Sequence, residues 1–295
     1  MKNEFMSPEC FMDVEHYSVS PFEFGENSFN TPKLSKDKAE YFLESLKKNG
    51  LEGEDERALD IVQKLGKGYF MSYAKLYCIE NIVGELVFVP GITMDKIVDD
   101  VFFNTALCKE LSVSLSFFRK NLESKIVSTL ISWAEERKWS GIISEFGVNY
   151  MDNESLSKAS FEAIWNDYDM IFPREVSELI AKEYGMDSFH FSEWLNIASY
   201  VSGLSEGNRK LVDHVFLDEM KCPDNLIPRF PLWNHKVNMI GNLVLALDYL
   251  NKIEENHFDL SLEKKVWELL ATYSISPSRI GFNVNNKIPQ ETKRA

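Results

Sequence analysis

The sequence has no run of about 18 consecutive apolar residues, the length that a membrane-spanning helix needs. Its opening residues, "MKNEFMSPEC", have neither the basic flank nor the apolar stretch of a signal peptide. We therefore expect a cytoplasmic protein with no membrane partner.

Cysteine is scarce, and the four cysteines, Cys10, Cys78, Cys108 and Cys222, are far apart in sequence. They form no C-x-x-C pair, so neither a disulfide framework nor a cysteine zinc site is expected. The 14 glycines are scattered, without the spacing of a P-loop or a Rossmann fingerprint. The sequence therefore gives no sign of a nucleotide-binding domain.

Basic residues are outnumbered, with 32 Lys and Arg against 46 Asp and Glu and a net charge of −14. Residues 1–208 hold 20 basic and 35 acidic residues, whereas residues 209–295 hold 12 and 11. Bulk positive charge, the usual means of coating nucleic acid, is absent. The two parts of the chain therefore differ in their electrostatics.

Most of the chain has helical periodicity. Residues 1–33 contain Pro8, Pro21 and Pro32 and are interpreted as an extended lead-in. Helices are predicted over 35–50, 54–66, 93–112, 113–139, 153–168, 173–185 and 189–204, with a strand at 85–89. These elements predict an acidic, mainly helical domain over 34–207.

A different pattern follows the small, polar stretch "SGLSEGN", which is the best candidate for a domain boundary. "KLVDHVFL" (210–217) and "MIGNLVLA" (239–246) are predicted as strands, and helices are predicted over 247–256 and 261–274. The expected fold is mainly α with a small α+β part, the latter over 208–295.

Polar residues lie inside these apolar segments. Asp213 and His214 are adjacent in the first predicted strand, Asn242 lies in the second, and Asn251 follows nine positions later on the next helix. This order resembles the HNH nuclease motif in the variant whose last member is Asn. Over about residues 208–272, "VDHVF" and "IGNLVL...LN....N.F...K" are similar to the C-terminal HNH-like domain of GmrSD-type restriction enzymes.

The resemblance implies a ββα-metal domain that hydrolyses phosphodiester bonds. His214 would be the general base, since a side chain with a pKa near 6.5 can take a proton from water. Asp213 and Asn251 would hold Mg²⁺ (or Mn²⁺), which prefers oxygen ligands. Asn242 would bridge backbone groups and orient His214.

Other residues are candidates for contacts with the substrate. They are Arg209, His235, His257, Lys264 and Lys265. The expected substrate is nucleic acid, DNA more than RNA, and the expected setting is a bacterial anti-phage or restriction system. A sensor or ATPase could dock on the acidic helical domain.

Two alternatives stay open. The spacing of Arg209 and His214 also matches the R-x-x-x-x-H signature of HEPN ribonucleases, which belongs on a helix, so the secondary structure of 210–217 decides between the two motifs. The second alternative is a non-enzymatic binding or inhibitor protein whose acidic surface meets a basic partner, with an inactive HNH-like scaffold.

Overall fold

The computed structural model describes residues 34–82, 85–137, 160–254 and 261–283. The predicted lead-in over 1–33 lies outside these ranges. The described chain is mainly helical with a small two-stranded sheet. The α-helices are α1 (Lys36–Lys48), α2 (Glu56–Leu65), α3 (Lys67–Ala74), α4 (Met94–Glu136), α5 (Phe161–Asn166), α6 (Arg174–Glu183), α7 (Ser188–Glu206), α8 (Ile240–Glu254) and α9 (Leu262–Thr272).

The chain divides into two compact units, Met1–Phe103 and Asn104–Ala295. In the first unit, β1 (Cys78–Glu80) pairs antiparallel with β2 (Leu86–Phe88), with Cys78 opposite Phe88. Burial of apolar side chains from α1 to α3 and from the start of α4 stabilises this unit. The most deeply buried of them include Ala39, Leu46, Ala58, Phe70, Tyr73 and Ile97.

Helix ends in the first unit follow local sequence signals. The side chain of Asp55 caps α2 by accepting a hydrogen bond from the backbone N–H of Arg57 at 2.7 Å. Gly66 follows the helix with φ at 87°, a conformation that glycine adopts without steric cost. The predicted helix over 54–66 is therefore confirmed within a few residues.

Helix α4 corrects one prediction. The sequence suggested two helices, over 93–112 and 113–139, but residues 94–136 form one helix. The assumed break at Ser112–Val113 contains neither proline nor glycine, and serine and valine cost a helix interior only a few tenths of a kcal/mol relative to good helix formers. Leu111 and Leu115, on either side of this point, are both buried, and their packing favours one continuous helix.

Aromatic side chains dominate the core of the second unit. Trp194 and Trp233 stack with ring centroids 5.6 Å apart, and Tyr184 and Phe191 stack at 4.8 Å. All four are almost fully buried, so each removes a large apolar area from water. This core joins α7 to the irregular segment 207–239, which positions the residues discussed below.

The segment after residue 207 differs from the predicted strand–strand–helix pattern. Residues 210–217 are irregular, and the strand pairing there is an isolated antiparallel bridge between Val215 and Met239. The strand predicted at 239–246 is wrong, because Ile240 begins helix α8. The boundary predicted between residues 207 and 208 lies within the second unit.

Within the ranges that the structure describes, no helix is both long and apolar enough to cross a membrane.

Candidate functional site

The segment leading to Asp213 is held by a buried asparagine on α4. Asn104 is fully buried; its Oδ1 accepts hydrogen bonds from the backbone N–H groups of Leu211 at 2.7 Å and Val212 at 3.4 Å. Its Nδ2 donates to the backbone carbonyl of Arg209 at 2.9 Å. Buried backbone groups outside regular structure need such partners. One side chain therefore fixes three successive peptide groups before the site.

Asp213 lies on a tight turn and is paired with Arg279. Its φ is 59°, in the left-handed region that Asp tolerates better than most residues. The Asp213 carboxylate accepts hydrogen bonds from Arg279 Nε at 3.1 Å and from Nη2 at 2.7 Å. The Asp213 backbone N–H donates to the Arg279 carbonyl at 2.8 Å. This is a bidentate, charge-assisted pair reinforced through the backbone.

The segment that carries Arg279 is fixed by close packing. Gly281 has φ at 93°, and a Cβ built on it would lie 2.5 Å from the Cβ of Met239. Met239 is the bridge partner of Val215, two residues after Asp213. A glycine is therefore required where the 3₁₀ turn Pro277–Ile280 ends.

His214 is half-buried between aromatic rings. Its ring centroid lies 6.1 Å from that of Tyr200 and 5.2 Å from that of Phe216. The Tyr200 hydroxyl is 3.5 Å from His214 Nε2, a long contact for a hydrogen bond. Burial, and then the positive charge of Lys210, lower the pKa of His214. The neutral imidazole, which accepts protons, is thereby favoured near pH 7.

Asn242 shapes the loop before α8. It is 1% exposed; its Oδ1 accepts a hydrogen bond from the backbone N–H of Asn234 at 2.9 Å, and its Nδ2 donates to the Asn234 carbonyl at 3.0 Å. The Asn234 side chain in turn accepts from the backbone of Lys236 and Val237. Asn242 therefore bridges backbone groups of the loop that delivers Met239 to the bridge.

Asn251 lies in a different place. Its Nδ2 donates to Ser114 Oγ at 2.7 Å and to the Ser114 carbonyl at 3.3 Å, and its buried Oδ1 has no partner among the described residues. Both residues line a groove with Glu110, Lys265 and other side chains of α4, α8 and α9, and neither Asp213 nor His214 lines it. Lys265 is paired with Glu110 at 2.7 Å.

The distance along α8 separates the two predicted metal ligands. The Asp213 turn lies beside Met239, and Asn251 comes twelve residues later, about 18 Å along a helix that rises 1.5 Å per residue. Oxygens that share one divalent ion lie within about 5 Å of each other. Within the described ranges there is also no group of three or more His, Cys, Asp or Glu that could hold a metal. The residues expected to bind Mg²⁺ or Mn²⁺ do not fit that ion in this arrangement.

The other predicted contact residues are dispersed. His235 and Lys264 are exposed, and the backbone N–H of Lys264 donates to Ser261 Oγ at the start of α9. Arg209 is half-buried, with its carbonyl held by Asn104. His257 lies outside the described residues.

The HEPN alternative requires Arg209 and His214 on a helix. Helix α7 ends at Glu206, and residues 210–217 contain turns and one bridge but no helix. Arg209 and His214 therefore do not share the helix that the HEPN signature requires.

Sequence reasoning missed Asn104 and Arg279. The only local signal for Asn104 is a polar residue within the buried stripe Ile97, Val101, Asn104, Cys108 and Leu111 of α4. Arg279 carries no local signal, since its partner is 66 residues away.

Comparisons of this chain with protein-family models, with curated proteins and with solved structures find no match.

Proposed function

We propose that the protein is an HNH-type endonuclease that hydrolyses phosphodiester bonds in nucleic acid, DNA rather than RNA, in the cytoplasm. The observation that carries this proposal is the placement of His214. It directly precedes the Val215–Met239 bridge, and Met239 leads into α8. The imidazole is thus held where the two segments with the HNH resemblance meet.

In this proposal His214 is the general base. It takes a proton from a water molecule, the hydroxide attacks phosphorus, the bond from phosphorus to the leaving oxygen breaks, and the proton is returned to that oxygen. Asn104 and Asn242 are positioning residues, because they hold the two chain segments on either side of the bridge. A general base must be held within hydrogen-bond reach of its water, which such buried clamps favour.

The resemblance includes a divalent cation, Mg²⁺ or Mn²⁺, whose chemistry would be neutralisation of charge on the phosphate and the leaving oxygen. Since the described residues do not gather its ligands, no step is assigned to it. Positive charge near the base is supplied by Lys210, whereas the charge of Arg279 is balanced by its pair with Asp213.

Cleavage assays test the proposal directly. Purified protein comprising residues 1–295 is incubated with supercoiled DNA, single-stranded DNA and RNA, each with Mg²⁺, with Mn²⁺ and with a chelator. His214→Ala is compared with the wild type, and His190→Ala is the matched control, because His190 lies on α7 beside Asp187 and away from the proposed base. Cleavage that is lost in His214→Ala and kept in His190→Ala supports the proposal. Equal cleavage by all three proteins would remove His214 from the mechanism.

A non-enzymatic binding protein is the second candidate. It is favoured by the Asp213–Arg279 pair and by the separate location of Asn251, which together suit a scaffold without a metal. Its partner would be basic, since residues 1–208 carry the acidic excess. Silence in every cleavage assay, together with tight, salt-sensitive binding to a basic protein, would favour this candidate.

A protein partner also belongs to the nuclease proposal. The acidic excess of residues 1–208 would repel DNA, so we propose that this part docks a sensor or an ATPase in an anti-phage or restriction system. A complex that survives neutralisation of the acidic residues in this part would contradict the docking model.

A further inference from the structure

We infer that the groove between α4, α8 and α9 binds a small, neutral, largely apolar molecule that donates one hydrogen bond to Oδ1 of Asn251. The groove belongs to the second unit, and residues from all three helices line it. Neither Asp213 nor His214 is among them, so the inference goes beyond the proposed nuclease. It gives a role to an asparagine that does not fit the expected metal site.

Asn251 offers an acceptor that the protein leaves unused. Its Nδ2 donates to Ser114 Oγ at 2.7 Å and to the Ser114 carbonyl at 3.3 Å. Since a carbonyl oxygen can only accept, these contacts fix the orientation of the amide. Oδ1 is shielded from water and has no hydrogen-bond partner among the described residues. A donor that enters the groove therefore gains a hydrogen bond that water does not already make.

Apolar side chains form much of the groove wall. Val113 and Phe117 lie one turn apart on α4, and Leu262 lines the groove from α9. Val113 is 53% exposed, so its side chain is open to contact with a bound molecule. The groove holds about 600 Å³ of space, its open mouth included, which is within the range of small-molecule sites.

The charged side chains of the groove favour a neutral molecule. Lys265 pairs with Glu110 at 2.7 Å, and Lys252 pairs with Asp248. These four are the charged residues that line the groove, so its charges cancel. An ionic ligand would have to break one of the pairs, and loss of Lys252 would strand the buried carboxylate of Asp248. A neutral molecule leaves both pairs intact.

Two isomers test the hydrogen bond to Asn251. 3-Methylindole carries a ring N–H, whereas 1-methylindole has the same atoms but no donor. Ligand-observed NMR measures their dissociation constants for the protein comprising residues 1–295, without metal or nucleic acid. Affinity in about the millimolar range is expected for molecules of this size, with 3-methylindole bound about tenfold more tightly. Equal affinity for the two isomers, or binding of neither, would overturn the inference.

Variants locate the binding. Asn251→Leu removes the acceptor and should weaken 3-methylindole to the affinity of its isomer, whereas Val113→Trp fills the groove and should weaken both isomers about tenfold or more. The controls are Asn121→Leu and Ile131→Trp, which change residues of the same helix that do not line the groove; both should bind as the wild type does. An isomer preference that persists in Asn251→Leu, or binding that survives in Val113→Trp, would refute the site.

Circular dichroism establishes that each variant folds. If Asn251→Leu does not fold, the isomer preference of the wild type and the loss of binding in Val113→Trp decide the question. Because no readout depends on cleavage, the result is independent of the nuclease proposal: failure of every cleavage assay would leave this site standing, and failure of the site would leave His214 untouched.

Discussion

Replacement of Asn104 by Ala is expected to lower the free energy of unfolding by about 2–5 kcal/mol, because it strands buried backbone groups. The variant loses the 2.7 Å bond to the Leu211 N–H and the 2.9 Å bond to the Arg209 carbonyl. A buried polar group left without a partner costs about 1–3 kcal/mol, and Asn104 itself is fully buried, so water cannot easily replace it.

Chemical denaturation followed by tryptophan fluorescence measures this loss, since Trp194 and Trp233 are in the same unit. Asn104→Leu separates hydrogen bonding from cavity formation, because leucine keeps the branched heavy-atom shape of asparagine and leaves no cavity; it should be destabilised by a similar amount. Asn121→Ala is the control on the same helix, where Nδ2 has no partner among the described residues, and should cost less than about 1 kcal/mol. If the Ala variant alone is destabilised, a cavity explains the effect and the hydrogen-bond reasoning fails.

Three further predictions concern the surroundings of the site. Asn242→Leu removes both bonds to the loop before α8 and is expected to cost about 2–4 kcal/mol in the free energy of unfolding and most of any cleavage activity, measured by denaturation and by DNA nicking. Gly281→Ala should lower the free energy of unfolding by about 2–4 kcal/mol, because the residue has a positive φ and the new Cβ would clash with Met239. Gly203→Ala, in open space on α7, should raise it by about 0.5–1 kcal/mol. Equal shifts of the two denaturation midpoints would contradict this prediction. Asp187 caps α7. Burial raises the pKa of its carboxyl group, but hydrogen bonds with the backbone N–H and the ring of His190 outweigh that effect, so the pKa of Asp187 is lowered. The cap therefore contributes above the unfolded pKa, near 3.9, and is lost as pH falls through the lower folded value. The difference of about 1 kcal/mol between wild type and Asp187→Ala at pH 7 should shrink toward pH 2, and a constant difference would refute the assignment.

Helices with clear ends were predictable from sequence, and α8 shows where prediction fails. Capping residues and glycines mark the ends of α2 and α7, as expected from local hydrogen bonding. The run "MIGNLVLA" is almost wholly apolar, and residues 240–247 are all buried. It therefore shows neither the two-residue alternation of a half-buried strand nor the 3.6-residue repeat of an amphipathic helix, and its pattern cannot distinguish the two. Its valine and leucines suited either interpretation, and tertiary packing selected the helix.

The candidate site depends on contacts between residues distant in sequence. Asp213 and His214 were recognisable as a pair, but the ion pair with Arg279 joins residues 66 positions apart. The hydrogen bonds from Asn104 reach more than 100 positions along the chain. No periodicity or spacing reports such contacts, and the expected metal pair assumed a hairpin in place of the first turns of α8.

The hydrogen bonds of Asn104 have a consequence for the order in which the chain folds during synthesis and for which fragments of it can fold alone. Arg209 and Leu211 depend on a side chain from a helix synthesised about one hundred residues earlier. A fragment that begins at residue 208 would lack this partner and would present the apolar surface of α8 to water. The segment that carries the motif is therefore not expected to fold when it is moved alone into another protein. During synthesis, it folds against a helix that has already left the ribosome.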